Sequence, residues 1–424
     1  ILSGQTTGST VFSAVNDGVA EGAETALITM GNPPAGYSLG VASQSITLSD
    51  GGAATTPIYQ IQGNQATSPL VGQQVTTSGV VTRVNNNGFF MQDASGDGDA
   101  TTSDGILVFT NTAPTVTLGQ LIQLTGTVAE FNTGAASNAD TLAHRVTEIT
   151  SPSNISVMAS NQVITPLEVS LPETINDDLE RYEGMLVTLL GPLTASQNYF
   201  QGRYGQVTLA ANGRMEVPTN KFRPNTAGAI NLAYANLRSR IILDDGTSTQ
   251  NPNPTPYIGQ DNTLRAGDTV SAVTGVIDYG LATSDNTGFG DYKIHPTQAV
   301  SFTRANPRTL APDLVPGNIK VASFNVLNFF TTFADGTTAF GQSGQGCSLG
   351  GNVAASNCRG ANNAAEFTRQ RSKIIAAITA INADVVGLME IQNNGNTAVQ
   401  YLVDGLNASL GAGSYAALGL PSGG

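Results

Sequence analysis

The chain has 424 residues, 40% hydrophobic and only 12% charged, with a formal net charge of −13, two cysteines, two histidines and no tryptophan. Such a length holds about three domains of ordinary size, and the apolar content excludes a disordered chain. An acidic surface repels polyanions unless Arg, Lys or bound cations intervene locally, and no apolar run is long enough to span a membrane.

Gly, Thr, Ser and Asn are abundant and Lys is scarce, a β-rich, turn-rich composition typical of exported bacterial proteins. The chain opens at Ile1 without a start methionine or leader and stops soon after Glu390, so it reads as an internal piece of a larger protein. Residues 1–50 read as the tail of a β-sandwich, with alternating strands at Thr10–Ala14, Thr25–Met30 and Ser45–Asp50 and turns at Asp17-Gly18 and Asn32-Pro33-Pro34. The string from Asn16 to Thr25 resembles the Calx-beta repeat, whose acidic clusters at strand ends can bind calcium. Here Glu21, Glu24 and Asp50 are the matching acids, with solvated turn acids as the alternative.

After a Gly/Ala/Thr linker at 51–56, one pattern recurs four times, at Gly72–Gly79, Gly119–Gly126, Gly184–Gly191 and Gly267–Gly275. Each repeat is a glycine turn, a β-prone run and a second glycine, which inside a strand marks a bulge or tight bend. Two pairs of repeats predict two small barrels of the oligonucleotide/oligosaccharide-binding (OB) type, over 58–150 and 160–303, with Gly280–Tyr292 as a surface insertion. In the first barrel Asp93, Asp97, Asp99 and Asp104 alternate with glycines. They could wrap a calcium ion or form a plain Asp/Gly hairpin, and their spacing is not that of an EF-hand. The second barrel mixes aromatic and cationic residues at Leu179–Gly184, Gly202–Gly205 and Asn220–Pro224. That mix suits base stacking, though packing and salt bridges use it more often. His144 and His295 have no partner that the sequence names.

Residues 317–424 differ. Five bases (Lys320, Arg359, Arg369, Arg371, Lys373) balance five acids (Asp335, Glu366, Asp384, Glu390, Asp404), so the acidic excess lies upstream. Cys347 and Cys358 share one Gly/Ser/Asn-rich loop and read as a disulfide that pins it, with two free thiols as the alternative. Phe367, Ile374, Ile375, Ile378 and Ile381 recur at helical spacing, which predicts an amphipathic helix over 362–381. It is flanked by apolar runs at Ile319–Asn328 and Ala383–Ile391 that carry Asn325 and Glu390. Parallel strands lying side by side would bring both residues to one sheet edge, where α/β folds place their ligands. There the amide would orient the carboxylate, and the carboxylate would hold magnesium with water and phosphate completing the shell. Arg369 and Arg371 are candidate phosphate contacts, or simply a solvated face, and Glu366 is expected to pair with Arg369.

These motifs resemble the endonuclease/exonuclease/phosphatase superfamily, whose first two signatures are a strand ending in Asn and a later strand ending in the metal-binding Glu. The closer resemblance is to large secreted bacterial nucleases that place OB-type domains before this catalytic domain. It is carried by Leu179–Gly184, Gly202–Val207, Leu243–Gly246, Val321–Phe330, Arg359–Arg371 and Val385–Asn393. The resemblance implies a multidomain, mainly β chain: a partial Calx-beta-like sandwich (1–50), two OB-like barrels, and the N-terminal part of an endonuclease/exonuclease/phosphatase α/β sandwich (317–424). It further implies Mg or Mn at Glu390, positioned by Asn325, DNA or RNA as substrate, and a secreted or cell-surface bacterial protein. The family's later Asp, Asn and Asp-His strings do not follow Glu390, so the fragment alone is expected to be inactive. The alternatives are a cell-surface binding or adhesion protein with a non-catalytic C-terminal domain, or a phosphatase or lipid phosphodiesterase of the same superfamily.

Overall fold

The structure, a computed structural model, describes residues 24–29, 31, 35, 43–48, 55–259, 261–282 and 285–418. It is mainly β, in several sheets, and divides into two compact units at Pro307/Arg308. In the first unit β1 (Glu24–Thr29) and β2 (Ser43–Leu48) pair antiparallel, with Ala26 opposite Ile46. Glu21, Asp50 and the Glu24 side chain, the calcium candidates of this stretch, lie outside the described residues.

A short helix, α1 (Ile58–Gln62), leads into five strands: β3 (Gln74–Asn85), β4 (Gly88–Gln92), β5 (Gly105–Phe109), β6 (Leu121–Phe131) and β7 (Val146–Ala159). Helix α2 (Ala139–Ala143) lies between the last two. They close a barrel in the order β3-β4-β5-β7-β6, antiparallel throughout except for the parallel pair β5–β7. Strand β6 alternates, burying Ile122, Leu124 and Val128 among Phe89, Met91, Ile106, Val108 and Ile149, and α1 adds Ile58 and Ile61.

The second barrel repeats this connectivity. Its strands are β8 (Leu167–Ser170), β9 (Leu186–Gln197), β10 (Gln206–Ala210), β11 (Arg240–Asp244), β12 (Thr269–Leu281) and β13 (Gly290–Pro296). Helix α3 (Gln201–Tyr204) precedes β10, and α4 (Pro218–Lys221) and α5 (Ala227–Ser239) precede β11. Pairings β9–β10, β10–β11, β12–β13 and β9–β12 are antiparallel and β11–β13 is parallel, so five strands form a ring and β8 lines up along β9. The four glycine-bounded repeats fall on β3, β6, β9 and β12, the first and fourth strands of each ring, which pair with each other. Register slips opposite Gly126 and at Gly191, as a bulge requires, whereas Gly79 and Gly275 sit in regular register.

The two barrels share a seam. Val146 of β7 belongs to the second barrel's core, and Leu107 of β5 packs against it. Backbones meet at Gly105 and Gly184, where a Cβ on Gly105 would collide with the Gly184 carbonyl carbon and Gly184 itself has φ +77°. Polar bonds cross alongside: Gln92 Oε1 accepts from Leu186 N at 2.7 Å, and Arg83 donates to the carbonyls of Pro296 (2.7 Å) and Asp245 (3.0 Å). The expected surface insertion at 280–292 is instead the β12–β13 hairpin. Its Asn286 and Gly288 carbonyls accept from Asn138 of the first barrel at 3.1 and 2.6 Å.

The second unit contains β14 (Val321–Phe329), the hairpin β15 (Cys347–Leu349) and β16 (Asn352–Ala354), α6 (Ala364–Ile381), β17 (Val385–Ile391) and α7 (Thr397–Leu410). Strands β14 and β17 are parallel neighbours joined through α6. Phe367, Ile374 and Ile378 of α6 meet Val326, Phe329, Phe333, Leu402 and Leu406 in one core. A disulfide joins Cys347 and Cys358.

Candidate functional site

Strand β14 sends Phe324 and Val326 toward the core and leaves Asn325 exposed between them. Beyond Asn325 the strand bends, because Leu327 and Asn328 both take left-handed backbone conformations, with φ of 52° each. The bend is held from both sides. Leu327 N donates to Asn325 Oδ1 at 2.8 Å, and Gln370 Nε2 on α6 donates to the Val326 and Leu327 carbonyls at 3.1 and 2.6 Å. Gly360 leaves room for the turn, since a Cβ there would collide with the Asn328 carbonyl oxygen.

On the neighbouring strand Glu390 has φ 61°, a conformation that costs a non-glycine residue about 1–3 kcal/mol and gathers at functional sites. The β14–β17 register slips at this point: Asn325 pairs with Met389, and Phe329 with Ile391. Glu390 thereby reaches Asn325, whose Nδ2 donates to Glu390 Oε1 at 2.8 Å. The amide fixes one carboxylate oxygen, and Glu390 makes no other hydrogen bond or ion pair among the described residues. One oriented, exposed carboxylate at the carboxyl ends of two parallel strands suits a hard cation that keeps most of its water. The described residues contain no group of three or more His, Cys, Asp or Glu arranged to hold a metal ion.

The two arginines proposed from sequence part company. Arg371 turns inward, its guanidinium carbon 4.6 Å from the Tyr401 ring centroid and its NH2 group 3.2 Å from the Tyr401 carbonyl. It is a packing residue. Arg369 is exposed and makes no ion pair or hydrogen bond among the described residues, and neither does Lys373, one turn further along α6. The expected Glu366–Arg369 pair does not form. Asn363 caps α6 by accepting from Glu366 N at 3.0 Å, while Glu366 Oε2 accepts from Asn362 N at 2.9 Å. Sequence reasoning missed Lys373 and Gln370. The four-residue step from Arg369 was a usable signal for Lys373, but nothing local marks Gln370 as the brace of the β14 bend.

In the Asp-rich loop each carboxylate serves nearby backbone: Asp93 accepts from Ser95 N (2.9 Å), Asp97 from Asp99 N (2.8 Å) and Asp99 from Thr101 N (2.9 Å). Asp104 faces Asp97 and Asp93, and burial followed by these two charges pushes its carboxyl up. The familiar strings of the second barrel cluster around the seam. Glu183 Oε1 accepts from Thr147 N at 2.9 Å, Arg181 pairs with Asp178 at 3.1 Å, and Asp244 accepts from Lys293 and Gln206, each at 2.8 Å. Burial opposes the charge on Asp244, yet Lys293 and His295 hold its carboxyl below the usual range. Glu183, fully enclosed, is pushed well up by burial and then by Glu180 and Asp278. Glu148 is pushed up to about 7 by burial, Asp278 and Glu130. Both histidines gain partners here: His295 Nε2 lies 3.1 Å from Asp278 Oδ2, and His144 stacks on Tyr279 beside Asp177.

Comparison with protein-family models and with curated proteins finds no match for this chain.

Proposed function

We propose that the chain is part of a secreted bacterial nuclease that uses a divalent metal to hydrolyse phosphodiester bonds of DNA or RNA. The observation that carries this reading is the Asn325–Glu390 hydrogen bond of 2.8 Å, formed across two parallel strands at a strained residue. Glu390 would hold Mg or Mn and Asn325 would orient it, and the bound metal would polarise a phosphoryl oxygen. We read the strand–helix–strand of the second unit as the first portion of an endonuclease/exonuclease/phosphatase sandwich. The two five-stranded rings, each with its third and fifth strands parallel, we read as OB-type barrels that capture or space the substrate. Neither histidine lies in the second unit, and residues 391–424 carry a single acid, Asp404. We assign metal binding to this chain and cleavage to the nuclease of which we read it as a part.

Two measurements test the reading. Mn2+ titration followed by water-proton relaxation should show a site in this chain that Glu390→Gln weakens by about tenfold or more. The nuclease that we read this chain as part of should relax plasmid DNA only with Mg2+ or Mn2+, and Glu390→Gln in it should remove that activity. Equal metal affinity and equal cleavage in the variant would take Glu390 out of the site and end the proposal.

A further inference from the structure

Beside the Asn325 bend, a groove of about 550 Å3 opens in the second unit, and its lining includes Leu327, Gly360, Glu366, Arg369, Gln370 and Lys373. Its two cations stand one helical turn apart on α6. The acid that could have neutralised them, Glu366, is engaged at the helix start, so both charges stay uncompensated among the described residues. In so acidic a chain, an unpaired Arg–Lys step on a groove wall is the local basic feature that a polyanion requires. The groove is also tied to the candidate metal ligand through three side-chain hydrogen bonds. They run from Gln370 to Leu327 O (2.6 Å), from Leu327 N to Asn325 (2.8 Å) and from Asn325 to Glu390 (2.8 Å).

We propose that this groove receives the sugar–phosphate backbone of a nucleic-acid strand, with Arg369 and Lys373 neutralising phosphates that flank the one presented at Asn325 and Glu390. The proposal rests on the nuclease reading for the identity of the strand, and assigns substrate contact to Lys373 in place of Arg371. Neutralisation without base contacts predicts binding that is tolerant of sequence and steep in salt.

The test is fluorescence anisotropy of a short fluorescein-labelled DNA duplex with this chain in EDTA, across about 50 to 200 mM NaCl. Arg369→Ala/Lys373→Ala should weaken binding about tenfold at low salt and reduce the slope of log K against log salt by about 2, since two phosphate contacts are lost. Both side chains are exposed, so the thermal transition should stay in place. Arg214→Ala/Arg308→Ala removes the same charge from exposed positions elsewhere and should leave the slope unchanged. An unchanged slope in the first variant, an equal fall in the second, or loss of binding to phosphatidylserine vesicles with DNA binding intact would overturn the groove. Glu390→Gln separates the two proposals. Mn2+ affinity unchanged in that variant, beside a slope that falls in Arg369→Ala/Lys373→Ala, rejects the nuclease reading alone, and Mn2+ affinity lost in it without that fall in slope rejects the groove alone.

Discussion

Glu148→Gln should abolish a pH dependence that the seam between the barrels builds into the fold. Glu148 sits on β7, only 5% exposed, and burial, Asp278 and Glu130 push its carboxyl from 4.5 to about 7. The folded state thus keeps a proton that the unfolded chain releases. Its stabilising contribution is fully present below about 4.5, falls as pH rises, and is gone above about 7. That displacement corresponds to about 3 kcal/mol for a fully dry carboxyl, and water reaching the seam reduces it to about 1–2 kcal/mol. Glutamine is neutral at every pH and mimics the protonated acid. At pH 4 the variant and the natural chain should therefore unfold together. At pH 8 the variant should be more stable, its barrel transition about 2 to 8 °C higher by differential scanning calorimetry. Parallel curves from pH 4 to pH 8 would show that Glu148 is already solvated and would refute the reasoning.

Other perturbations separate packing from binding. Arg371→Ala should destabilise the second unit by about 1–2 kcal/mol through loss of the Tyr401 contacts, seen in chemical denaturation, while leaving DNA affinity unchanged. Reduction of the Cys347–Cys358 bond, which spans 11 residues, should cost the second unit about 3 kcal/mol by loop entropy; an unchanged unfolding midpoint under dithiothreitol would mean the loop is ordered without it. Asp104→Asn should raise the melting temperature in calcium-free buffer, because Asp104 faces Asp97 and Asp93. If the natural chain instead gains stability with calcium and the variant does not, those acids hold an ion.

Much of the β architecture was readable because strands announce themselves locally. The four glycine-bounded runs are strands because β-prone residues alternate between two turns, and Asn325 and Glu390 stand out because a polar residue ends each apolar run. The rest depends on contacts distant in sequence. No local pattern tells that β5 runs parallel to β7, or that Glu183 finds Thr147 36 residues away. Helix phase explains the exchange of Arg371 for Lys373. Both are cations on α6, but only the fold decides which meets Tyr401 and which meets open space. Glu366 misled for a related reason, since a charge near a helix start has two possible partners and here the backbone amide wins over the side chain.

The contact of Gly105 with Gly184 bears on how such a chain can change over generations. Any side chain at either position would intrude on the facing backbone, and Val146 of one ring already fills the core of the other. Replacing either barrel by one of different surface shape would leave an apolar gap or a backbone clash at this seam. The two rings therefore tolerate change only as a matched pair at this seam, whereas an exposed stretch such as the one around Leu310 and Leu314 carries no such constraint.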